Sequence, residues 1–287
     1  MAIKLNGFGG LLTADVWEPP GPRQGTVLLL HGGGQTRHSW RAAGPMLAEA
    51  GWLTYAVDAR GHGESFWARD GDYSFDAFAD DLVVLVDQLP ERPVIIGASL
   101  GGITAMLAEG ERGGVVKALV LVDIAPRVEP EGVARISAFM TGAPDGFASL
   151  AEVAAAVQAY QPHRDRQVNP ESMRKNVRQA RNGRWYWHWD PAFTAPGREN
   201  DVSEQGYRRT KAAAMAIRVP TLLVRGEHSD VVSVDGMDEL QSLIPGARTV
   251  EVGDARHMVA GDDNAIFLGE VLSFLESHHE VGAADRG

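Results

Sequence analysis

The chain has 287 residues, 33 of them glycine and none cysteine, and 27 basic against 38 acidic side chains give a net charge of −11. The absence of cysteine excludes disulfide scaffolds, Cys-ligated zinc, iron–sulfur clusters and thiol nucleophiles, and the acidic balance argues against a nucleic-acid partner. At 44% hydrophobic and 23% charged residues, the composition is that of a folded globular protein, not a disordered one.

The first residues, MAIKLNG, lack the basic start, apolar stretch and small-residue cleavage site of a signal peptide. No run approaches about 18 consecutive apolar residues, so no membrane association is expected and the expected location is cytoplasmic. Residues 3–18, with Gly7, Gly9 and Gly10 in their middle, read as a hairpin. Compact Val/Ile/Leu-rich runs follow at 26–30 (TVLLL), 53–57 (LTYAV), 94–96, 118–122 (ALVLV) and 221–224. Such continuous runs suit strands buried on both faces of a parallel sheet. Helical periodicity occupies 40–50, 75–89, 100–110, 237–243 and 265–275, and strand alternating with helix predicts a doubly wound α/β sheet. The alternation breaks from about Pro126 to Arg218. This stretch shows no clear strand, several Ala-rich amphipathic helices and prolines at 126, 130, 144, 162, 170, 191 and 196. It reads as a helical cap spanning 126–217, inserted into a core of 1–125 and 218–287. Phe139, Met140, Phe147, Leu150, Trp185, Trp187 and Trp189 need burial, which argues against a disordered linker.

The strongest local signal is Gly97-Ala98-Ser99-Leu100-Gly101, followed by Gly102, between a predicted strand and a predicted helix. That is the strand–turn–helix setting of the G-x-S-x-G nucleophile elbow, in which the flanking residues must be small for strand and helix to approach. Ser99 is the candidate nucleophile. Such a serine needs a base, an orienting acid and an oxyanion hole, with chain order serine, acid, histidine. Of the later histidines, His257 is best placed. It follows the strand-like 249–252, lies in the loop 253–257 and precedes the last helix, at the kind of strand end where ligands gather in open α/β sheets. Packed or surface polar roles suit His163 and His188, which fall in the insertion, and His228 precedes the candidate acid. Asp230 and Asp123 both stand at strand ends. The Gly-led loop 225–230 and its position before His257 favour Asp230, with Asp123 as its competitor and Glu227 a remote third. For the oxyanion hole, one N–H comes from Leu100, after the nucleophile. The other comes from the loop His31-Gly32-Gly33-Gly34, where Gly33 is the candidate and His31 reads as a structural hydrogen-bonder.

From 31–34 through 58–65 (DARGHGES) and the elbow to Asp230 and His257, the chain resembles the α/β-hydrolase superfamily. It is similar in particular to its lid-bearing group of microbial esterases, cofactor-free haloperoxidase-like enzymes, epoxide hydrolases and carbon–carbon bond hydrolases. The resemblance implies a mostly parallel eight-stranded sheet flanked by helices with a helical cap, a structural role for 58–65, and no metal or organic cofactor. Epoxide hydrolases and haloalkane dehalogenases in this group use a carboxylate nucleophile, and here the elbow carries Ser99. The expected function is therefore hydrolysis of a small apolar or aromatic ester, lactone or thioester through a Ser99–His257–Asp230 triad and an acyl-enzyme. Carbon–carbon bond hydrolysis and haloperoxidase or perhydrolase chemistry with the same triad are the alternatives, and a non-catalytic small-molecule receptor is the alternative of another class. The run Trp185-Tyr186-Trp187 suggests an aromatic wall of the substrate pocket, with anchoring of the cap as the competing role. The expected partner is a small-molecule substrate, and homo-oligomerisation stays open.

Overall fold

The computed structural model describes residues 1–162, 167–195, 203–253, 255 and 265–279. Its first strands, β1 (Ala2–Asn6) and β2 (Leu11–Trp17), form the expected antiparallel hairpin. Six further strands run parallel to one another: β3 (Gly25–Leu30), β4 (Trp52–Val57), β5 (Val94–Ala98), β6 (Ala118–Val122), β9 (Thr221–Gly226) and β10 (Arg248–Val252). The spatial order is β1-β2-β4-β3-β5-β6-β9-β10, so β3 and β5 lie in the middle and their carboxyl ends are neighbours. Side chains on a strand point alternately to opposite faces, and here both faces are filled. Leu28, Ile95, Leu119 and Leu121 enter one core, while Val27, Leu29, Ile96, Val120 and Val122 enter the other. This double burial is why the strands read as continuous apolar runs.

Helices α2 (Phe75–Val86), α3 (Leu100–Arg112) and α7 (Val234–Leu243) pack on the first face, and α1 (Ala43–Glu49) and α8 (Ala265–His279) on the second. Ser74 and Ser233 open α2 and α7 with side-chain oxygens that accept from Ala77 N–H and Gly236 N–H, a standard N-terminal cap.

Between β6 and β9 lie α4 (Pro130–Thr141), α5 (Leu150–Tyr160), a 3-10 turn at Pro170–Asn176, β7 (Val177–Gln179), β8 (Trp185–Trp187), a second 3-10 turn at Pro191–Thr194 and α6 (Glu204–Ala216). Strands β7 and β8 pair antiparallel, whereas the sequence suggested no strand here. Three residues each are too few to show a period. Met140, Phe147, Leu150, Val153, Met173, Trp187 and Trp189 form a small core of their own. Helix α6 differs from the rest of this stretch: a Cβ on Gly110 of α3 would lie 2.2 Å from the Ala213 carbonyl oxygen, so α3 and α6 touch backbone to backbone. The stretch over the strand ends thus comprises α4 to the second 3-10 turn, and α6 joins the helical layer of the sheet. Among the described residues no helix is long and apolar enough to cross a membrane.

Candidate active site

Strand β5 ends and α3 begins within one residue, Ser99. Its backbone has φ 46° and ψ −112°, and it is one of two non-glycine residues with positive φ among those described, the other being Asp123. Such conformations are unfavourable for L-residues and persist where the surroundings enforce them, often at functional sites. Here the enforcement is visible in the glycines. A Cβ on Gly97 would stand 2.6 Å from the Gly101 carbonyl oxygen, and one on Gly101 would stand 2.6 Å from the backbone oxygen of Leu30 in β3. The Ser99 N–H is held by the Val122 carbonyl at 3.1 Å. Gly97→Ala is therefore expected to destabilise the fold by about 1–3 kcal/mol, the range for overpacking a tight interior, measurable as a lowered denaturation midpoint. An unchanged midpoint would mean that strand and helix have room to separate.

The loop after β3 approaches the elbow closely: a Cβ on Gly32 would lie 3.4 Å from Ser99 Cβ. The Gly32 N–H donates to Gln35 Oε1 at 3.1 Å and the Gly34 N–H donates to His62 Nε2 at 3.1 Å. The Gly33 N–H has no acceptor among the described residues. The N–H of Leu100, at the first turn of α3, belongs to the donors that an α-helix leaves without an internal partner. Ser99, Gly33 and Leu100 share the lining of one pocket, about 510 Å³ in volume, with Ile136, Phe139, Met140, Trp187, Trp189 and Phe193 of the insertion.

Three buried histidines stand behind the glycine loop. His31 donates from Nδ1 to the Gly32 carbonyl (2.8 Å) and accepts at Nε2 from Ala59 N–H (3.0 Å), the structural role expected of it. His62 accepts at Nε2 from Gly34 and donates from Nδ1 to the Arg60 carbonyl (2.9 Å). His188, at the end of β8, accepts at Nδ1 from Gly63 N–H (2.8 Å) and donates from Nε2 to the Gly34 carbonyl (3.3 Å). Each ring needs one bare nitrogen, so each is neutral. Burial lowers the pKa of His31 and pushes that of His188 down to about 3 from an ordinary 6.5. An unfolded His188 binds a proton near pH 6.5 and a folded one only near pH 3. Stability linked to this ring is therefore complete above about pH 6.5 and declines as the pH falls towards 3. Chemical denaturation across pH 7 to 4 is expected to show this decline, and His188→Leu should flatten it; an equally steep decline in the variant would assign it to other groups.

The loop 58–65 is anchored through its first residue. Asp58 is fully buried, accepts from the Arg37 N–H (2.7 Å) and the Glu64 N–H (2.9 Å), and pairs with the Arg37 guanidinium.

The two candidate acids separate in three dimensions. Asp123, at the end of β6 with φ 49°, is 1% exposed; its carboxylate accepts from Gly226 N–H (3.1 Å) and from the Ser229 hydroxyl (2.6 Å). The Asp230 side chain is 34% exposed and ion-paired with Arg135 of α4. The preference for Asp230 rested on its Gly-led loop and its position before His257; in the fold the loop after β9 presents Ser229 to Asp123 and sends Asp230 outward to the insertion. His257 and His163 lie outside the described residues. Of the suggested aromatic wall, Trp187 lines the pocket and Trp189 joins it, the two rings stacked with centroids 4.9 Å apart. Trp185 instead bonds by its backbone to Phe147 and lies under the Arg174 guanidinium, and the Tyr186 hydroxyl accepts from Asn182, so these two belong to the packing of the insertion. Among the described residues no group of three His, Asp or Glu side chains is placed to hold a metal ion.

Residues 25–263 match the family described as alpha/beta hydrolase fold. The chain belongs to that family. It is 29% identical to an esterase of Mycobacterium tuberculosis over 93% of this chain and 87% of the relative. It is also 30% identical to the mouse sn-1-specific diacylglycerol lipase ABHD11 over 87% and 80% of the two chains. A crystal structure of an alpha/beta hydrolase from Novosphingobium aromaticivorans superposes with a TM-score of 0.79 at 25% identity, covering 96% of this chain and 98% of that one. This α/β-hydrolase is a hydrolytic enzyme.

Proposed function

We propose that the protein is a serine esterase acting on small esters with an apolar acyl group, with Ser99 as nucleophile, His257 as base and Asp123 as the acid that orients it. The observation that carries this reading is the strained Ser99 elbow facing a glycine loop across the lining of one pocket. His257 takes the hydroxyl proton as the Ser99 oxygen attacks the acyl carbon. The resulting oxyanion accepts hydrogen bonds from the Gly33 and Leu100 N–H groups, donors that need no rearrangement in the transition state. The C–O bond to the leaving group breaks, the alcohol departs with the proton returned by His257, and water repeats the cycle on the acyl-enzyme to release the acid.

The acyl portion faces Phe139, Met140, Trp187 and Trp189 of the insertion, whose side chains offer apolar contact area. The names of the relatives, an esterase and a diacylglycerol lipase, support ester chemistry. The test is turnover of p-nitrophenyl esters from acetate to octanoate, alongside thioesters and lactones. Saturable hydrolysis that improves with acyl length is expected, and a protein that turns over none of these compounds would overturn the reading.

A further inference from the structure

Gly34 is held on both sides by imidazoles, through the two peptide groups that it joins. His62, from the loop after β4, takes its N–H, and His188, from the insertion, gives a hydrogen bond to its C=O. The same His188 ring takes the Gly63 N–H, Arg178 of β7 donates to the Gly63 carbonyl, and the Asp190 N–H donates to the Gly61 carbonyl at 2.8 Å. Gly34, Gly61 and Gly63 all have positive φ (72°, 72° and 52°), so at three points the backbone turns through a conformation that favours glycine, and a residue of the insertion bonds to it there. The next turn closes over the same loop. The Phe193 ring meets His62 edge-on at 4.5 Å, and its edge lies 3.6 Å from where a Gly33 Cβ would stand.

We propose that His188 is a positioning residue for the oxyanion hole: by holding the Gly34 carbonyl from the insertion it fixes the glycine loop on which the Gly33 N–H stands. The inference rests on the esterase reading for its kinetic consequence, and on the hydrogen bonds alone for its structural one. An imidazole is suited to this place because it accepts through one nitrogen and donates through the other, about 2 Å apart on a rigid ring. The insertion is then a part of the catalytic apparatus at β8, in addition to forming a wall of the pocket. A small ester that never reaches the aromatic lining still depends on it.

Two variants divide the ring. His188→Asn keeps an acceptor near the position of Nδ1, for Gly63, and loses the donor to Gly34. His188→Gln keeps a donor near the position of Nε2, for Gly34, and loses the acceptor. With p-nitrophenyl acetate, His188→Asn is expected to lower kcat by about 10- to 10²-fold at little-changed KM, the scale of a misdirected donor, and His188→Gln to recover most of that loss. Equal losses in both variants, a loss confined to KM, or no loss would overturn the proposal. Amide hydrogen exchange gives a reading independent of turnover. In His188→Asn the Gly34 amide, bonded to His62, should exchange about tenfold faster while those of β5 and β6 do not change, a local opening and not a global one. Unchanged exchange at Gly34 contradicts the tether whatever the substrate. A wild-type protein without ester turnover would instead remove the esterase reading and leave the exchange result to decide the tether.

Discussion

Asp123→Asn is expected to lower kcat by about 10⁴-fold, the effect of removing the charge that holds a catalytic imidazole in its working tautomer, while Asp230→Asn changes kcat by less than about threefold. The reason lies in surroundings. Asp123 is buried, its backbone is strained, and its carboxylate is aligned by the Gly226 N–H and the Ser229 hydroxyl. Asp230 spends its charge on Arg135, which is itself 54% exposed, and an ion pair open to water contributes little. Steady-state kinetics of the two variants with one ester decide between them, and a larger loss from Asp230→Asn would return the acid to the end of β9. Ser229→Ala should then show an intermediate fall in kcat, because it removes one of the two groups that orient Asp123.

Ser99→Ala is expected to lower kcat by about 10⁴- to 10⁶-fold, as removal of a serine nucleophile does, with the fold intact. Alanine retains the Cβ whose neighbours are already in place, and the Ser99 N–H bond to Val122 is a backbone contact that the substitution leaves alone. The residual rate reports what the Gly33 and Leu100 donors and the pocket do without covalent catalysis. A variant that kept more than about a hundredth of the activity would require another nucleophile. Circular dichroism and the denaturation midpoint, both expected to match the wild type, separate this effect from misfolding.

The elbow and the glycine loop were legible in the sequence because their constraints are local. Gly97, Gly101 and Gly102 must be small to let β5 and α3 meet, and those demands fall within six consecutive positions. The parallel sheet was legible for a similar reason: strands filled on both faces leave continuous apolar runs. The acid was not. Asp123 and Asp230 both follow apolar runs, and what separates them, Ser229 on one side and Arg135 on the other, comes from residues 106 positions away from Asp123 and in a different element from Asp230. The role of His188 was equally hidden, since its partners Gly63 and Gly34 are 125 and 154 positions away. The short hairpin β7–β8 carries no period long enough to recognise. It alone brings Trp187 to the pocket and leaves Tyr186 bonded to Asn182, a division that three adjacent aromatic letters do not reveal.

The identity of the nucleophile is the claim on which the rest stands. Treatment of the wild-type protein with a serine-directed fluorophosphonate, followed by intact-mass measurement and peptide mapping, tests it most directly. One adduct per chain, carried by Ser99 and absent from Ser99→Ala, is the predicted result; no adduct, or one on a different residue, would contradict the account.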